Sequence, residues 1–131
     1  MYPHAQYQAA AARTAGPAQL VLMVYDAVLD RLGAAREALS DVGCDPGLAH
    51  HLLTSAQGLV DELAVSLDRE RGGEVAEGLA ALYAYCHQQL VEANLAKDPG
   101  PLADVEAVVG GLRDAWASAC VGRPGEVRAA G

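Results

Sequence analysis

The sequence predicts an all-α fold, an antiparallel four-helix bundle, from three observations. Apolar residues make up 52% of the 131 residues while Phe is absent, and an Ala- and Leu-rich composition favours helix over sheet. Four segments repeat apolar residues at three- and four-residue spacing, which places those residues on one face of a helix. Short turn signals separate the segments, and short connections make neighbouring helices antiparallel.

The first helix is expected to begin at Pro17, with Gly16 as its N-cap, because proline already has the φ angle of the first helical position. Its apolar residues surround the helix for two turns and then narrow to one stripe. This pattern indicates a first half that is covered on more than one side. The helix is expected to end at Val42-Gly43. The apolar run consists of Leu20, Val21, Leu22, Met23, Val24, Ala27, Val28, Leu29 and Leu32.

The second helix is expected to follow Asp45-Pro46, an N-cap and a first helical position. Its apolar residues recur every three and a half residues on average, which is typical of the seam of a bundle. We therefore expect one inward stripe, made of Leu48, Leu52, Ala56, Leu59, Leu63 and Leu67.

The third helix is expected to follow Gly72-Gly73, because paired glycines lose too much backbone entropy to lie inside a helix. One apolar line along it consists of Val75, Leu79, Leu82, Cys86, Leu90 and Ala93. A second line, at seven-residue spacing, consists of Ala76, Tyr83 and Leu90. Together the two lines are broader than one neighbouring helix needs. The spare face of this helix is the candidate functional surface.

The fourth helix follows the turn signal Asp98-Pro99-Gly100-Pro101. Its expected inward residues are Leu102, Val105, Val108, Val109, Leu112, Trp116 and Ala119. The chain thus divides into a short N-terminal helical or extended arm over 1–15, a bundle over 16–121 and a disordered tail over 122–131.

Charge and hydropathy argue against several classes of function. The net charge is −8 and Lys97 is the single lysine, so the basic patch of a nucleic-acid binder or of an anionic-membrane binder is absent. The longest strongly apolar run, Leu20 to Val24, is far shorter than the ~20 residues of a membrane span, and no signal peptide opens the chain. We expect a cytoplasmic protein without membrane insertion, and read its three widely spaced cysteines as reduced.

Catalytic and metal-binding patterns are also absent from the sequence. No Glu is followed by His three residues later, as a di-metal bundle requires, and the adjacent His50 and His51 point about 100° apart. No nucleophile set or phosphate-binding loop is present. We expect no cofactor, no metal and no enzyme activity. A histidine phosphotransfer domain is an alternative four-helix bundle, but the residues after His50, His51 and His87 lack the Lys and Gly usual in that family.

Three blocks of residues stand in order along the chain. They are Ala5-Gln6-Tyr7-Gln8 with Leu22-Met23-Val24-Tyr25-Asp26, then Gly72-Gly73-Glu74 with Leu82-Tyr83-Ala84-Tyr85, and finally Leu112-Arg113-Asp114-Ala115-Trp116. In this order, over residues 2–120, they resemble the FliS family of flagellar secretion chaperones, which bind flagellin. The sequence departs from that pattern at Ala84 and at Gln88-Gln89, where the family carries charged residues.

The resemblance implies a small cytosolic helical bundle that binds the C-terminal helical segment of new flagellin. Such a chaperone blocks premature polymerisation and, when loaded, meets a component of the flagellar type III export gate. Another flagellar export substrate as client, or a four-helix interaction module outside secretion, remain alternatives. We expect a monomer or weak homodimer, with residues 1–13 as a lid anchored by Tyr7. The expected client groove on helices one and three consists of Tyr7, Leu20, Met23, Val24, Tyr25, Tyr83, His87, Leu90, Val91 and Asn94.

Overall fold

A computed structural model describes residues 16–121 of the chain, and they form four α-helices joined by short connections. The predicted all-α four-helix bundle is confirmed. The expected arm over 1–15 and tail over 122–131 lie outside the described residues. The helices are α1 (Pro17–Ala38), α2 (Pro46–Val65), α3 (Arg69–Ala96) and α4 (Leu102–Val121). Within this part of the chain, none of the helices is long and apolar enough to cross a membrane.

The helices form a ring in which α1 packs against α2 and α4, and α3 packs against the same two helices. Side-chain pairs show that neighbours run in opposite directions. Arg36 near the end of α1 meets Glu106 near the start of α4, whereas Asp26 earlier in α1 meets Arg113 further along α4. As a result, α1 and α3 lie diagonally across the core.

Caps fix the helix ends, and one end differs from the prediction. Gly16 and Pro17 begin α1 as expected, and the Asp45 carboxylate accepts a hydrogen bond from the Leu48 N–H at 3.0 Å at the start of α2. However, α1 ends at Ala38 and not at Val42. The Ala38 carbonyl accepts from the Asp45 N–H at 2.7 Å, so the loop satisfies the bond that a further helical residue would have made.

The glycine pair produces a kink and not the start of a helix. Gly73 has φ 52° and ψ −127°, which is a conformation that residues with a Cβ rarely adopt. The turn Arg69–Gly72 precedes the kink, with Asp68 as its N-cap, and α3 continues beyond it to Ala96. The predicted break is confirmed at Gly73, but α3 begins four residues earlier.

The core contains residues from all four helices, and α2 turns a different stripe inward than predicted. Its buried residues are Ala49, Leu53, Ala56, Val60 and Leu63. Of the predicted seam, Ala56 and Leu63 are buried, Leu52, Leu59 and Leu67 pack at the edge, and Leu48 is exposed. The physical reason is that α2 packs on both α1 and α3, so its inward direction lies between the two neighbours.

On α3 the core takes residues from both predicted apolar lines. The buried residues are Ala76, Tyr83, Cys86, Leu90 and Ala93, whereas Val75 is 72% exposed and Leu82 is also exposed. On α4, Leu102, Val105 and Val109 are buried, while the expected core residue Trp116 is half-buried at the edge. Therefore α3 keeps an exposed apolar edge, formed by Val75 and Leu82 of the first predicted line.

Candidate functional site

The structure separates the ten residues of the expected groove. Tyr25 and Leu90 are fully buried in the core and line neither groove, whereas Tyr83 is almost fully buried but lines the cavity between α2 and α3 together with His87. Tyr7 lies outside the described residues. The other six lie on two separate faces, because α1 and α3 are diagonal and cannot form the two walls of one groove. These six are Leu20, Met23, Val24, His87, Val91 and Asn94.

The two buried tyrosines join the diagonal helices. The Tyr25 and Tyr83 hydroxyls share a hydrogen bond of 2.7 Å between α1 and α3. Desolvation in the core raises the pKa of both phenols above the usual value. Tyr25 also meets the edge of Trp116, with the ring centroids 6.3 Å apart. The tyrosine pair therefore links α1 to α3 through the core.

Trp116 anchors the first turn of α1. Its indole N–H donates to the Ala18 carbonyl at 2.8 Å. Arg113, one turn earlier on α4, pairs with Asp26 at 2.8 Å, and this carboxylate raises the pKa of the guanidinium. The first two turns of α1 contain no buried residue, so these contacts from α4 help to hold them in place.

An apolar groove lies where the start of α1 passes the end of α2. Leu20, Val21 and Val24 of α1 face Leu63 of α2 across a cavity of about 340 Å³. Leu20 is 40% exposed, and Val24 is half-buried. We call this cavity the α1–α2 groove. It contains two of the predicted groove residues, Leu20 and Val24, and begins at Pro17, the first residue of α1.

His87 lies on the other face, in the α2–α3 groove, a cavity of about 320 Å³ between those two helices. Its Nδ1 is 3.0 Å from a carboxylate oxygen of Asp61, without the alignment of a hydrogen bond. Three alanines line the same cavity: Ala64, Ala80 and Ala84. The rest of the α2–α3 groove is lined by Tyr83, by Arg69 and by the Asp61 carboxylate.

Asn94 and Val91 lie further along α3, away from both grooves. The Asn94 side-chain carbonyl accepts from the Lys97 ammonium at 2.6 Å, and its amide contacts His50 Nδ1 at 3.2 Å. Lys97 itself has a left-handed backbone, φ 51°, and ends α3. Asn94 therefore links the end of α3 to α2.

Sequence reasoning missed the residues that α2 contributes to both grooves. Leu63 and Glu62 line one groove, Asp61 lines the other, and Val65 between them is 85% exposed. The seam pattern did not indicate them, because it predicted a single inward stripe on α2 and left its other residues without a role. Val65 was the available signal, since an apolar residue outside the seam lies on the surface.

Reactive groups do not gather around either groove. In the 16–121 range, no group of three His, Cys, Asp or Glu side chains is placed to hold a metal ion. Burial raises the pKa of the Cys86 thiol to about 11, so at neutral pH it is a protonated core residue. The arrangement offers apolar surface beside carboxylates, which suits the binding of a peptide.

Known proteins match the chain over most of its length. The family model described as flagellar protein FliS matches residues 1–123. The flagellar secretion chaperone FliS of Bacillus subtilis is 35% identical over 117 residues, 89% of this chain and 85% of that protein. The protein of the same name from Salmonella typhimurium is 34% identical over 107 residues, 81% and 78% of the two chains. That from Escherichia coli is 35% identical over 106 residues, 81% and 77%. On these matches, the chain belongs to the FliS family.

Proposed function

We propose that this chain is a cytosolic flagellar export chaperone that binds the C-terminal helical region of flagellin in a one-to-one complex. Binding keeps flagellin from polymerising early, and the loaded complex delivers it to the export gate of the flagellar type III apparatus. Membership of the FliS family supports the export role, since the matched relatives are named flagellar secretion chaperones. The choice of flagellin as client comes from the resemblance noted in the sequence.

The α1–α2 groove is the main structural support for a helical client. An amphipathic helix binds by laying its apolar face into a groove of this kind, with anchors at three- and four-residue spacing. Leu20, Val21 and Val24 supply the apolar wall of α1, and Leu63 supplies that of α2. Neither wall carries a cation in this cavity, so the groove favours an apolar client face.

We further propose that residues 1–13 cover part of this groove in the free protein, with Tyr7 as the anchor. The segment precedes Pro17, and Pro17 itself lines the groove. The segment is therefore connected to the bundle beside the groove that it is proposed to cover. A lid lowers the apparent affinity by the fraction of closed molecules. Deleting residues 1–13 should strengthen client binding or make the free protein stickier. A large loss of affinity would mean that the segment contacts the client directly.

Co-expression with the flagellin of the same organism tests the proposal. Intact flagellin should co-purify with this chain in equal amounts, and flagellin without its C-terminal segment should not. Leu20→Asp should weaken the complex, because it places a carboxylate in the apolar wall. Leu95→Asp is the matched control, since Leu95 is an exposed leucine on α3 outside both grooves.

Two results would contradict the proposal. Failure of intact flagellin to co-purify would remove flagellin as the client and favour another flagellar export substrate. Equal binding by the Leu20 and Leu95 variants would place the client elsewhere on the bundle.

A further inference from the structure

A continuous surface runs around the C-terminal half of α2. The α1–α2 groove ends at Glu62 and Ser66, and these residues also line a cavity of about 360 Å³ on the outer side of α2. Asp61 is shared by that outer cavity and by the α2–α3 groove. Val65 projects between them and is 85% exposed. We call this surface, from Leu20 across Val65 to Ala84, the α2 strip.

The α2 strip is negatively charged. Helix α2 has no lysine or arginine, and Asp61 and Glu62 lie in its last two turns. The C-terminal end of a helix carries a further partial negative charge from its free carbonyl groups, and the last turn of α2 has no basic residue to offset it. Among the described residues, Arg69 is the one arginine or lysine that lines this surface, and His87 Nδ1 lies 3.0 Å from the Asp61 carboxylate.

The floor of the strip allows another helix to come close. Where the α2–α3 groove opens, its floor is formed by Ala64, Ala80 and Ala84. Helix axes approach to about 8 Å where the facing side chains are small. The exposed side chain of Val65 on α2 offers an apolar contact, and the Asp61 and Glu62 carboxylates lie beside it.

We propose that the α2 strip selects the client by charge: it takes a helical segment whose apolar face is edged by lysine or arginine. These cations lie over Asp61 and Glu62, while the apolar face covers Val65 and the alanine floor. The inference rests on the proposed function, and it adds a requirement on the sequence of the client segment.

A second copy of this chain is a less suitable partner for the α2 strip than a cationic helix. The chain carries a net charge of −8, so two copies repel one another. Two of the cations among its described residues are also engaged: Arg36 pairs with Glu106, and Arg113 with Asp26. A cationic partner helix has neither disadvantage.

Binding of the C-terminal segment of flagellin to the purified chain, measured between 50 and 300 mM salt, tests the charge requirement. The wild-type complex should weaken as salt rises, because screening acts on charge pairs at an interface. The variant Asp61→Asn/Glu62→Gln should bind about three- to tenfold more weakly at low salt, mainly through slower association, and lose most of its salt dependence.

The matched control is Glu77→Gln/Glu92→Gln, which removes the same net charge from exposed positions on α3 that line neither groove. It should keep wild-type affinity. Equal weakening by the control, or a wild-type complex insensitive to salt, overturns the charge requirement while leaving the export role intact. No binding by the wild-type chain rejects the proposed client itself. Sedimentation of the free chain checks the remaining occupant, and a dimer that the Asp61/Glu62 variant dissolves would assign the strip to self-association.

Discussion

The hydrogen bond between Tyr25 and Tyr83 allows a quantitative test of the core. Replacing Tyr83 by Phe removes one hydroxyl and leaves that of Tyr25 in a fully buried site, without its 2.7 Å partner. An unsatisfied buried hydroxyl costs about 1–3 kcal/mol. Tyr25→Phe should cost a similar amount for the same reason. In the double variant no hydroxyl is stranded, so its cost should be well below the sum of the two single costs, by about 1 kcal/mol or more.

Chemical denaturation of the four proteins measures this coupling as a double-mutant cycle. For a chain of this length, 1 kcal/mol corresponds to roughly 3–5 °C in the melting temperature, so thermal melts give an independent check. The Leu20→Asp variant is a useful control, because Leu20 lies outside the core cluster and its substitution should leave the melt nearly unchanged. Strictly additive effects of the two Tyr→Phe changes would refute the hydrogen bond as a stabilising contact across the core.

Three further predictions concern stability and the thiols. Leu53→Ala should lower the free energy of unfolding by about 2–5 kcal/mol, because Leu53 is fully buried; denaturant titration measures the loss. Gly73→Ala should cost about 1–3 kcal/mol in the same assay, since φ 52° and ψ −127° strain a residue with a Cβ; Gly58→Ala, in open space on α2, is the control. The pKa of Cys86 rises from 9.0 to about 11 in the fold, so the unfolded chain loses this proton first. The free energy of unfolding should therefore be unchanged below pH 9 and fall by on the order of 3 kcal/mol between pH 9 and pH 11. The fall should be shallower in the Cys86→Ala variant, which lacks the thiol.

The helices could be predicted from the sequence because their signals are local. Gly16-Pro17 and Asp45-Pro46 predict where two helices begin, and the structure confirms both starts. Gly73 marks a backbone conformation that other residues avoid, and the kink is found there. The end of α1 was missed, because the Asp45 N–H that satisfies the Ala38 carbonyl comes from the next loop.

Which face of each helix is buried depends on how many neighbours it has, and a periodic pattern does not report this number. The sequence predicted two apolar lines on α3, and the core takes residues from both, while Val75 and Leu82 of the first line are exposed. The hydrogen bond to Tyr25 could not be foreseen, since it joins residues 58 positions apart on diagonal helices. For the same reason the expected groove on α1 and α3 divided into two, and α2 supplied the shared walls.

Hydrogen exchange of the chain, with and without the C-terminal segment of flagellin, tests whether the client lies on the α1–α2 groove and the α2 strip. The amides of 18–24 in α1 and 58–66 in α2 border the α1–α2 groove and the α2 strip, so the bound client should slow their exchange. The outer face of α1 near Glu37 lies away from both surfaces and should exchange at the same rate in both samples. Protection confined to helices other than α1 and α2, or no protection in a sample where the client is bound, would show that the client does not bind to these two surfaces.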